Sequence, residues 1–276
     1  MLHSGLPILR ILPLRSLVLH EEHDVQRALP LGEKLRAEGI LRNPPIVMPL
    51  PDRTRRYIVL DGANRVTALN ELQFPHTVAQ VVEAGDPHVG LHPWNHVVWG
   101  IKPNQLLARL RRVKGLELHR IETARSVAAP HHTPVQIRLS DGSAYYGTTP
   151  TNLQRRVRVL KKIVASYSRD ASIDRTSQTL IDSMRSLYES LAALVIFPRF
   201  DLETVLDLAG SGTVLPAGIT RFTVSPRALH LNYPLHELSS GRPLAEKERY
   251  LQKWIESRVS GKGVRMYVEN TFLFDE

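Results

Sequence analysis

The 276-residue sequence predicts an α+β fold, with a compact N-terminal domain over residues 1–90 and a mixed α+β C-terminal region over residues 91–276. Three observations lead to this prediction. Short apolar runs typical of strands alternate with amphipathic helical runs in both halves. No internal repeat, low-complexity segment or long linker divides the chain. The length is sufficient for two domains, or for one domain with an elaborated second half.

The first half contains the elements of a small mixed domain. Residues 8–19 predict one or two short strands, and Asp24 is placed to cap a helical segment that Gly39 ends. Because Pro30 and Gly32 interrupt that segment, we expect two short helices. Strands are then predicted at residues 46–48, 57–60 and 77–82, with a helix after the second of them.

The second half predicts a mixture of helices and strands. Asp141-Gly142 between two alternating runs indicates a β-hairpin over residues 134–147, and Asp201 is suited to cap a helix. The run from His88 to Gly100 is rich in His and Trp and is predicted to be loop-like, since Pro93 argues against one metal-binding helix. Further helices are predicted at 103–113, 151–166, 177–194 and 243–259, and further strands at 194–200, 219–233 and 264–274.

Composition is typical of a globular protein and narrows the possible chemistry. The chain is 42 % hydrophobic and 23 % charged, and no apolar run reaches the about 18 residues needed to span a bilayer. Prolines and arginines interrupt the basic N-terminus, so we expect no signal peptide, a cytoplasmic location and no membrane partner. The absence of cysteine excludes disulfides, zinc–thiolate sites and thiol catalysis. A net charge of +9 suits either nucleic acid or phosphorylated metabolites.

The stretch from Tyr57 to Leu72, YIVLDGANRVTALNEL, carries the clearest chemical signal. A strand-like run leads into the turn Asp61-Gly62-Ala63-Asn64-Arg65, and apolar residues on one helical face follow. This geometry directs backbone N–H groups and the positive end of the helix dipole at an anion, and Arg65 can grip phosphate oxygens. Asp61 is placed to hold Mg²⁺ or a substrate hydroxyl. The residues alone leave open an ordinary turn in which Asp61 caps the helix.

Several segments resemble known families. The turn at residues 61–65 resembles the D-G-x-x-R nucleotide-phosphate signature of the ParB/sulfiredoxin fold, and residues 1–85 resemble that fold as a whole. Leu19-His20-Glu21 resembles the acidic element of the free L-serine kinases, although the residues alone are equally typical of a charged surface loop. Segments that resemble the siderophore-locus branch of those kinases are residues 94–96, 164–168, 216–222, 254 and 267–269.

The resemblance implies a kinase that transfers a phosphoryl group from ATP, or from ADP, to the hydroxyl of free L-serine. The product, O-phospho-L-serine, would supply siderophore synthesis through L-2,3-diaminopropionate, or cysteine synthesis. The resemblance implies that Glu21 is the catalytic base, with Glu22 a weaker candidate, and that Asp61 is the Mg²⁺-linked catalytic carboxylate. It also implies that Trp94 and His96 surround the serine.

The same resemblance assigns the donor phosphates to Gly62, Ala63, Asn64 and Arg65. Relatives commonly carry histidine where this chain has Asn64, and an amide can neither carry a proton nor a positive charge. We therefore expect no acid or cationic role at this position. Haem is implied by the resemblance only, since no spacing among the twelve histidines identifies a ligand.

Two other function classes share the fold. A sulfiredoxin-type enzyme needs a cysteine in the turn after the central strand, which this chain lacks. A ParB-like nucleotide-binding, DNA-associated regulator would use the same turn, but it also needs a helix-turn-helix. The helices predicted after residue 100 are separated by strand-like segments, so nucleic-acid binding stays open as a secondary activity.

Overall fold

The computed structural model describes residues 5–23, 25–121 and 135–266. No helix in these ranges is both long and apolar enough to cross a bilayer. The helices are α1 (Val25–Glu38), α2 (Ala63–Glu71), α3 (Pro103–Arg111), α4 (Leu153–Ala165), α5 (Asp182–Arg185), α6 (Leu202–Gly210), α7 (Leu235–Ser239) and α8 (Leu244–Ser260). The strands are β1 (Ile8–Pro13), β2 (Leu17–Leu19), β3 (Ile40–Leu41), β4 (Ile46–Pro49), β5 (Tyr57–Asp61), β6 (His76–Val81), β7 (Val89–Pro93), β8 (Asn95–Trp99), β9 (Glu117–Arg120), β10 (Val135–Leu139), β11 (Ala144–Thr148), β12 (Ser172–Thr176), β13 (Leu191–Ile196), β14 (Thr220–Val224) and β15 (Tyr233–Pro234).

The first sheet has the strand order β1-β6-β4-β5-β2. β2 is parallel to β5, and β4 is parallel to β6, whereas the remaining pairs are antiparallel. Val59 of β5 packs in one apolar cluster with side chains of α1 and α2, while Ile58 and Leu60 join another cluster on the opposite face. Burial of both faces explains why β5 is apolar without alternation.

The second sheet is antiparallel, with the order β12-β8-β13-β10-β11-β9. α4 buries Val157, Leu160 and Ile163 in the large cluster that also contains Ile58 and Leu60 of the first sheet. The two sheets therefore share one apolar core.

Segments late in the chain return to the N-terminal strands. β14 pairs with β7, β15 pairs with β3, and α8 packs along β1. Glu248 of α8 accepts hydrogen bonds from the backbone N–H of Ile11 (3.0 Å) and from Nε of Arg10 (3.2 Å). The α8 carboxylate therefore satisfies part of an edge strand. The domain boundary near residue 90 stays a prediction.

Local signals predicted most elements correctly. The hairpin at Asp141-Gly142 forms as β10 and β11. Asp201 caps α6 by accepting a hydrogen bond from the N–H of Thr204 at 2.7 Å. Gly39, with φ of +65°, follows the end of α1 and donates its N–H to the carbonyl of Leu35. The expected cap Asp24 and residues 267–274 of the expected last strand lie outside the described residues, and residues 264–266 form no strand.

The prediction that Pro30 and Gly32 split the first helix is wrong, since α1 is continuous through both residues. α1 packs against α2, and a Cβ placed on Gly32 would lie 3.9 Å from Cβ of Ala68. The glycine therefore faces the neighbouring helix at close range, and tertiary packing offsets the local cost of the two residues.

Three predictions fail where pairing partners are distant in sequence. The loop expected between His88 and Gly100 is the strand pair β7 and β8. The helix expected over residues 177–194 is replaced by the short α5 and by β13, a continuous apolar run that periodicity cannot distinguish from a buried helix. The strands expected over residues 219–233 form, but β14 pairs with β7 and β15 with β3 instead of with each other.

Leu69→Ala is expected to lower the free energy of unfolding by about 2–5 kcal/mol. Leu69 lies on α2 and is fully buried, so truncation leaves a cavity between α2 and the first sheet. Urea unfolding followed by circular dichroism measures the change. Leu180→Ala is the control, because Leu180 is 61 % exposed and should change stability by no more than about 0.5 kcal/mol. Equal losses in the two variants would contradict this assignment of the core.

Candidate active site

The candidate active site lies where two neighbouring parallel strands of the first sheet end. β2 and β5 pair in the register Leu17↔Tyr57, Val18↔Ile58 and Leu19↔Val59. Two more residues along each strand bring Glu21 level with Asp61. Adjacent strands lie about 4.8 Å apart, and ligands of open α/β sheets bind outside the carboxyl ends of such strands. The sheet therefore brings the two predicted catalytic carboxylates to one edge.

The carboxylate of Glu21 is held by a segment almost 200 positions later in the chain. Its Oε2 accepts the N–H of Gly218 at 2.7 Å. Its Oε1 accepts the N–H of Ile219 at 3.1 Å and the N–H of Thr220 at 2.6 Å, as well as the Thr220 hydroxyl. A carboxylate has about four acceptor positions, and three of these contacts use Oε1. Oε2 therefore keeps capacity for one more donor.

His20 supports this arrangement from inside the protein. The ring is 6 % exposed, and Phe222 packs edge-on against it with the ring centroids 5.2 Å apart. Nδ1 contacts the carbonyl oxygen of Val59 at 2.6 Å, and Nε2 contacts Oγ1 of Thr220 at 2.9 Å. Because a carbonyl only accepts, Nδ1 carries a proton. His20 thus ties β5 to the residue that also binds Glu21.

Asp61, Gly62 and Arg65 form a compact cradle at the start of α2. Gly62 is the N-cap of α2, with φ of +94° and no side-chain hydrogen bond of its own. A Cβ at this position would lie 2.8 Å from Nη2 of Arg65 and 3.0 Å from Cα of Pro45. Only glycine fits here, because the Arg65 guanidinium lies directly over the turn. Ala63 and Asn64 follow in the first turn of α2, where backbone N–H groups suit an anion.

Asp61 is ionised between two guanidinium groups. Burial opposes its ionisation, but the charges of Arg65 and Arg227 and hydrogen bonds from Arg227 and from the Gly62 N–H outweigh that effect. The pKa of Asp61 therefore lies below its usual value. Nη2 of Arg227 contacts Oδ2 of Asp61, and Nη2 of Arg65 lies 3.6 Å from the same oxygen. Two positive charges on one negative charge leave the cradle suited to an anion.

His96 lies on β8, behind the segment that holds Glu21. Its Nε2 contacts the carbonyl oxygen of Gly218 at 3.0 Å, and its Nδ1 contacts the hydroxyl of Tyr167 at 2.9 Å. The carbonyl requires a proton on Nε2, so Nδ1 accepts the Tyr167 proton and the ring is neutral. Burial, opposed by the Gly218 contact and aided by the charge of Arg175, lowers the pKa of His96 to about 4. Burial raises the pKa of Tyr167, which keeps its donor proton.

Trp94 lies beside the same segment. Its N–H donates to the carbonyl of Ile219 at 2.9 Å, and the Arg221 guanidinium stacks over its ring at 4.7 Å. Gly218 has φ of +75°, and a Cβ there would clash with the guanidinium of Arg175. Two cations therefore flank the residues that bind Glu21.

The sequence-predicted residues fall into two groups. Asp61, Gly62, Ala63, Asn64 and Arg65 form the cradle, and Glu21, Trp94 and His96 meet at residues 218–220. Glu22 stands apart, since it is exposed and pairs with Nζ of Lys161 at 2.8 Å. Sequence reasoning missed the parts played by five residues, although segments 164–168 and 216–222 stood out by resemblance. These residues are Tyr167, Arg175, Gly218, Thr220 and Arg227.

Metal ligation by protein groups alone is not supported. In the part of the chain that the structure describes, no cluster of three or more His, Cys, Asp or Glu side chains could hold a metal ion. Asp61 is therefore a single carboxylate ligand at most. That is sufficient for Mg²⁺ when phosphate oxygens supply further ligands.

Comparison with solved structures identifies the class of fold. A free serine kinase variant in complex with AMP superposes with a TM-score of 0.72 at 16 % identity, over 85 % of this chain and 95 % of that chain. SbnI with a C-terminal truncation, from Staphylococcus aureus, also gives 0.72, at 23 % identity over 91 % and 97 % of the two chains. The chain therefore has the fold of the free serine kinases.

Comparison of sequences finds the same proteins. The ATP-dependent L-serine kinase SbnI of Staphylococcus aureus is 25 % identical over 274 residues, or 97 % of each chain. An ATP-dependent L-serine kinase of Staphylothermus marinus is 34 % identical over 97 residues, which are 35 % of this chain and 38 % of that protein. No family model matches the chain. The resemblance to free serine kinases expected from the sequence is confirmed.

Acidification is expected to destabilise the protein through His96. The unfolded-state pKa is near 6.5 and the folded-state pKa is about 4, so the unfolded chain binds an extra proton between these values. The free energy of unfolding should fall by about 3 kcal/mol over this window from His96 alone. Urea unfolding at a series of pH values tests this, with His96→Asn as the comparison. An equally steep pH dependence in the variant would contradict a buried neutral His96.

Proposed function

We propose that this chain is a kinase of free L-serine that uses ATP, or alternatively ADP, to produce O-phospho-L-serine. The observation that carries the proposal is the parallel register of β2 and β5, which sets Glu21 beside the Asp61–Arg65 cradle. A carboxylate base next to a phosphate site is the minimum arrangement for phosphoryl transfer to an alcohol. The relatives described above carry this activity in their names.

The donor nucleotide binds with its phosphates at the cradle. The N–H groups at the start of α2 and the guanidinium of Arg65 would contact phosphate oxygens. Solved free serine kinase structures contain AMP or ADP, which supports a nucleotide at this fold's site. We propose that residues 1–90 form a ParB/sulfiredoxin-like nucleotide-binding domain.

Mg²⁺ is part of the proposal. Asp61 fits it, since the carboxyl is ionised and both guanidinium contacts fall on Oδ2. Bound beside the phosphates, Mg²⁺ would supply neutralisation of their negative charge. Asp61 itself orients Arg65 and Arg227 at the cradle.

Glu21 is the base. The serine hydroxyl donates to Oε2, the oxygen with remaining acceptor capacity. As the bond from the serine oxygen to the γ-phosphorus forms, the bond from that phosphorus to the β-phosphate oxygen breaks, and the hydroxyl proton passes to Glu21. The three N–H groups of Gly218, Ile219 and Thr220 keep the carboxylate fixed during this step.

The serine lies against residues 218–220. Trp94 would form the wall of this pocket, and the guanidinium groups of Arg175 and Arg221 supply positive charge for the serine carboxylate. His96 orients the carbonyl of Gly218 from behind. Contact of His96 with serine itself stays a prediction.

Cytoplasmic location, and supply of O-phosphoserine to siderophore or cysteine synthesis, belong to the same proposal. Haem and nucleic-acid binding stay predictions from the resemblance. α7 and α8 follow one another with only residues 240–243 between them, but α7 packs on β6 and α8 on β1. This packing does not favour a DNA-reading role for the pair.

Glu21→Gln is expected to reduce kcat for phosphoserine formation by about 10²–10⁴-fold, the usual contribution of a general base. Phosphorus NMR with Mg²⁺, L-serine and either ATP or ADP measures the product and identifies the donor. Glu22→Gln is the matched variant of the competing carboxylate and should stay within about twofold of wild type, since an exposed ion pair contributes little.

Two controls separate chemistry from folding. Glu21→Gln should still bind ADP and unfold cooperatively, because the amide oxygen can still accept hydrogen bonds from residues 218–220. No phosphoserine from the wild-type chain with either nucleotide would refute the kinase proposal. Equal losses in the two variants would refute the choice of Glu21.

A further inference from the structure

We propose that Arg227 binds the phosphate groups of the donor nucleotide, as a second guanidinium at the cradle of residues 61–65. This inference rests on the nucleotide site of the proposed function, and it adds a residue that no motif connects to the turn. Arg227 is 166 positions from Asp61 and lies in the segment after β14.

The charges at the cradle favour a second anion contact. Arg65 and Arg227 both approach Oδ2 of Asp61, so one carboxylate faces two guanidinium groups. Asn64 adds no charge, and the N-terminus of α2 adds a partial positive charge. The net charge of the group is therefore positive, and a phosphate placed there would be attracted by both arginines.

The backbone on each side of Arg227 is fixed by one buried side chain. Nε2 of Gln80 donates to the carbonyl of Pro226 at 2.8 Å, and Oε1 of Gln80 accepts the N–H of Ala228 at 2.9 Å. Gln80 lies on β6 and is 2 % exposed. A buried amide that bonds both neighbours of one arginine sets where that arginine projects. The first sheet thus positions Arg227 as directly as it positions Asp61.

The Asp61 contact alone does not account for this support. The side chains of Arg227 and Asp61 are 39 % and 41 % exposed, and exposed ion pairs contribute only about 0–1 kcal/mol. A guanidinium has five N–H donors, and the contact with Asp61 is made by one terminal nitrogen. The exposed remainder of the fork can meet phosphate oxygens, where paired N–H contacts are strong and directional.

The test is binding of ADP with Mg²⁺ to the full chain by isothermal titration calorimetry. Arg227→Ala should raise the Kd for ADP by about 10-fold or more, the usual effect of losing hydrogen bonds to a charged group. Arg227→Lys keeps the charge but loses the fork, so its Kd should lie between wild type and Arg227→Ala. Without ligand, the unfolding midpoint of Arg227→Ala should match wild type, whereas the rise caused by ADP should shrink.

Arg109→Ala is the matched control. Arg109 pairs with Asp170 at 2.8 Å, its side chain is 34 % exposed, and it lies on α3 away from the cradle. Its Kd for ADP should stay within about twofold of wild type. Arg65→Ala provides the reference loss for the arginine that the motif identifies.

A double variant separates phosphate binding from neutralisation of Asp61. In an Asp61→Asn background there is no charge to neutralise, so Arg227→Ala should still weaken ADP binding. No effect of Arg227→Ala in that background would overturn the inference, as would a Kd for Arg227→Ala within about twofold of wild type. A wild-type chain that binds no ADP would overturn it as well.

The outcome is independent of the kinase reaction. If Arg227→Ala loses ADP affinity but the wild-type chain forms no phosphoserine, the proposed function fails while the role of Arg227 stands. If phosphoserine forms and Arg227→Ala binds ADP normally, only the role of Arg227 fails.

Discussion

The candidate active site depends on one interaction, the capture of the Glu21 carboxylate by the backbone of residues 218–220. It joins the end of β2 to the segment that leads into β14. Through the carbonyl of Gly218 the same segment reaches His96 of the second sheet, and through Thr220 it reaches His20 behind the first. Position, charge and burial of the base are therefore set by both sheets together.

The two halves of the site solve different electrostatic problems. At residues 218–220, neutral donors surround a single carboxylate, and the adjoining histidine is kept uncharged by burial. At the cradle, one carboxylate stands between two arginines and remains ionised. A site that must hold a polyanion and deprotonate a neighbouring alcohol needs this division, because an uncompensated positive charge beside the base would weaken it as a proton acceptor.

Sequence reasoning succeeded where the determinants are local. A turn with glycine before an amphipathic run predicts both α2 and its cradle, since φ of +94° at Gly62 and the Arg65 contact arise within five residues. It failed for β7, β8 and β13, whose partners lie far along the chain and decide between strand, loop and helix. Thr220 and Arg227 escaped for the same reason, because their partners Glu21 and Asp61 are more than 160 positions away.

That long separation has a consequence for biosynthesis. The strands carrying Glu21 and Asp61 leave the ribosome early, but the donors that fix Glu21 follow 197 to 199 positions later. Contacts at such separation close large loops and form late in folding. Until the late segment docks, the nascent chain presents an acidic strand end without its donors. Competence for catalysis is thus gained near the end of synthesis, and any shorter translation product that keeps the first sheet lacks it.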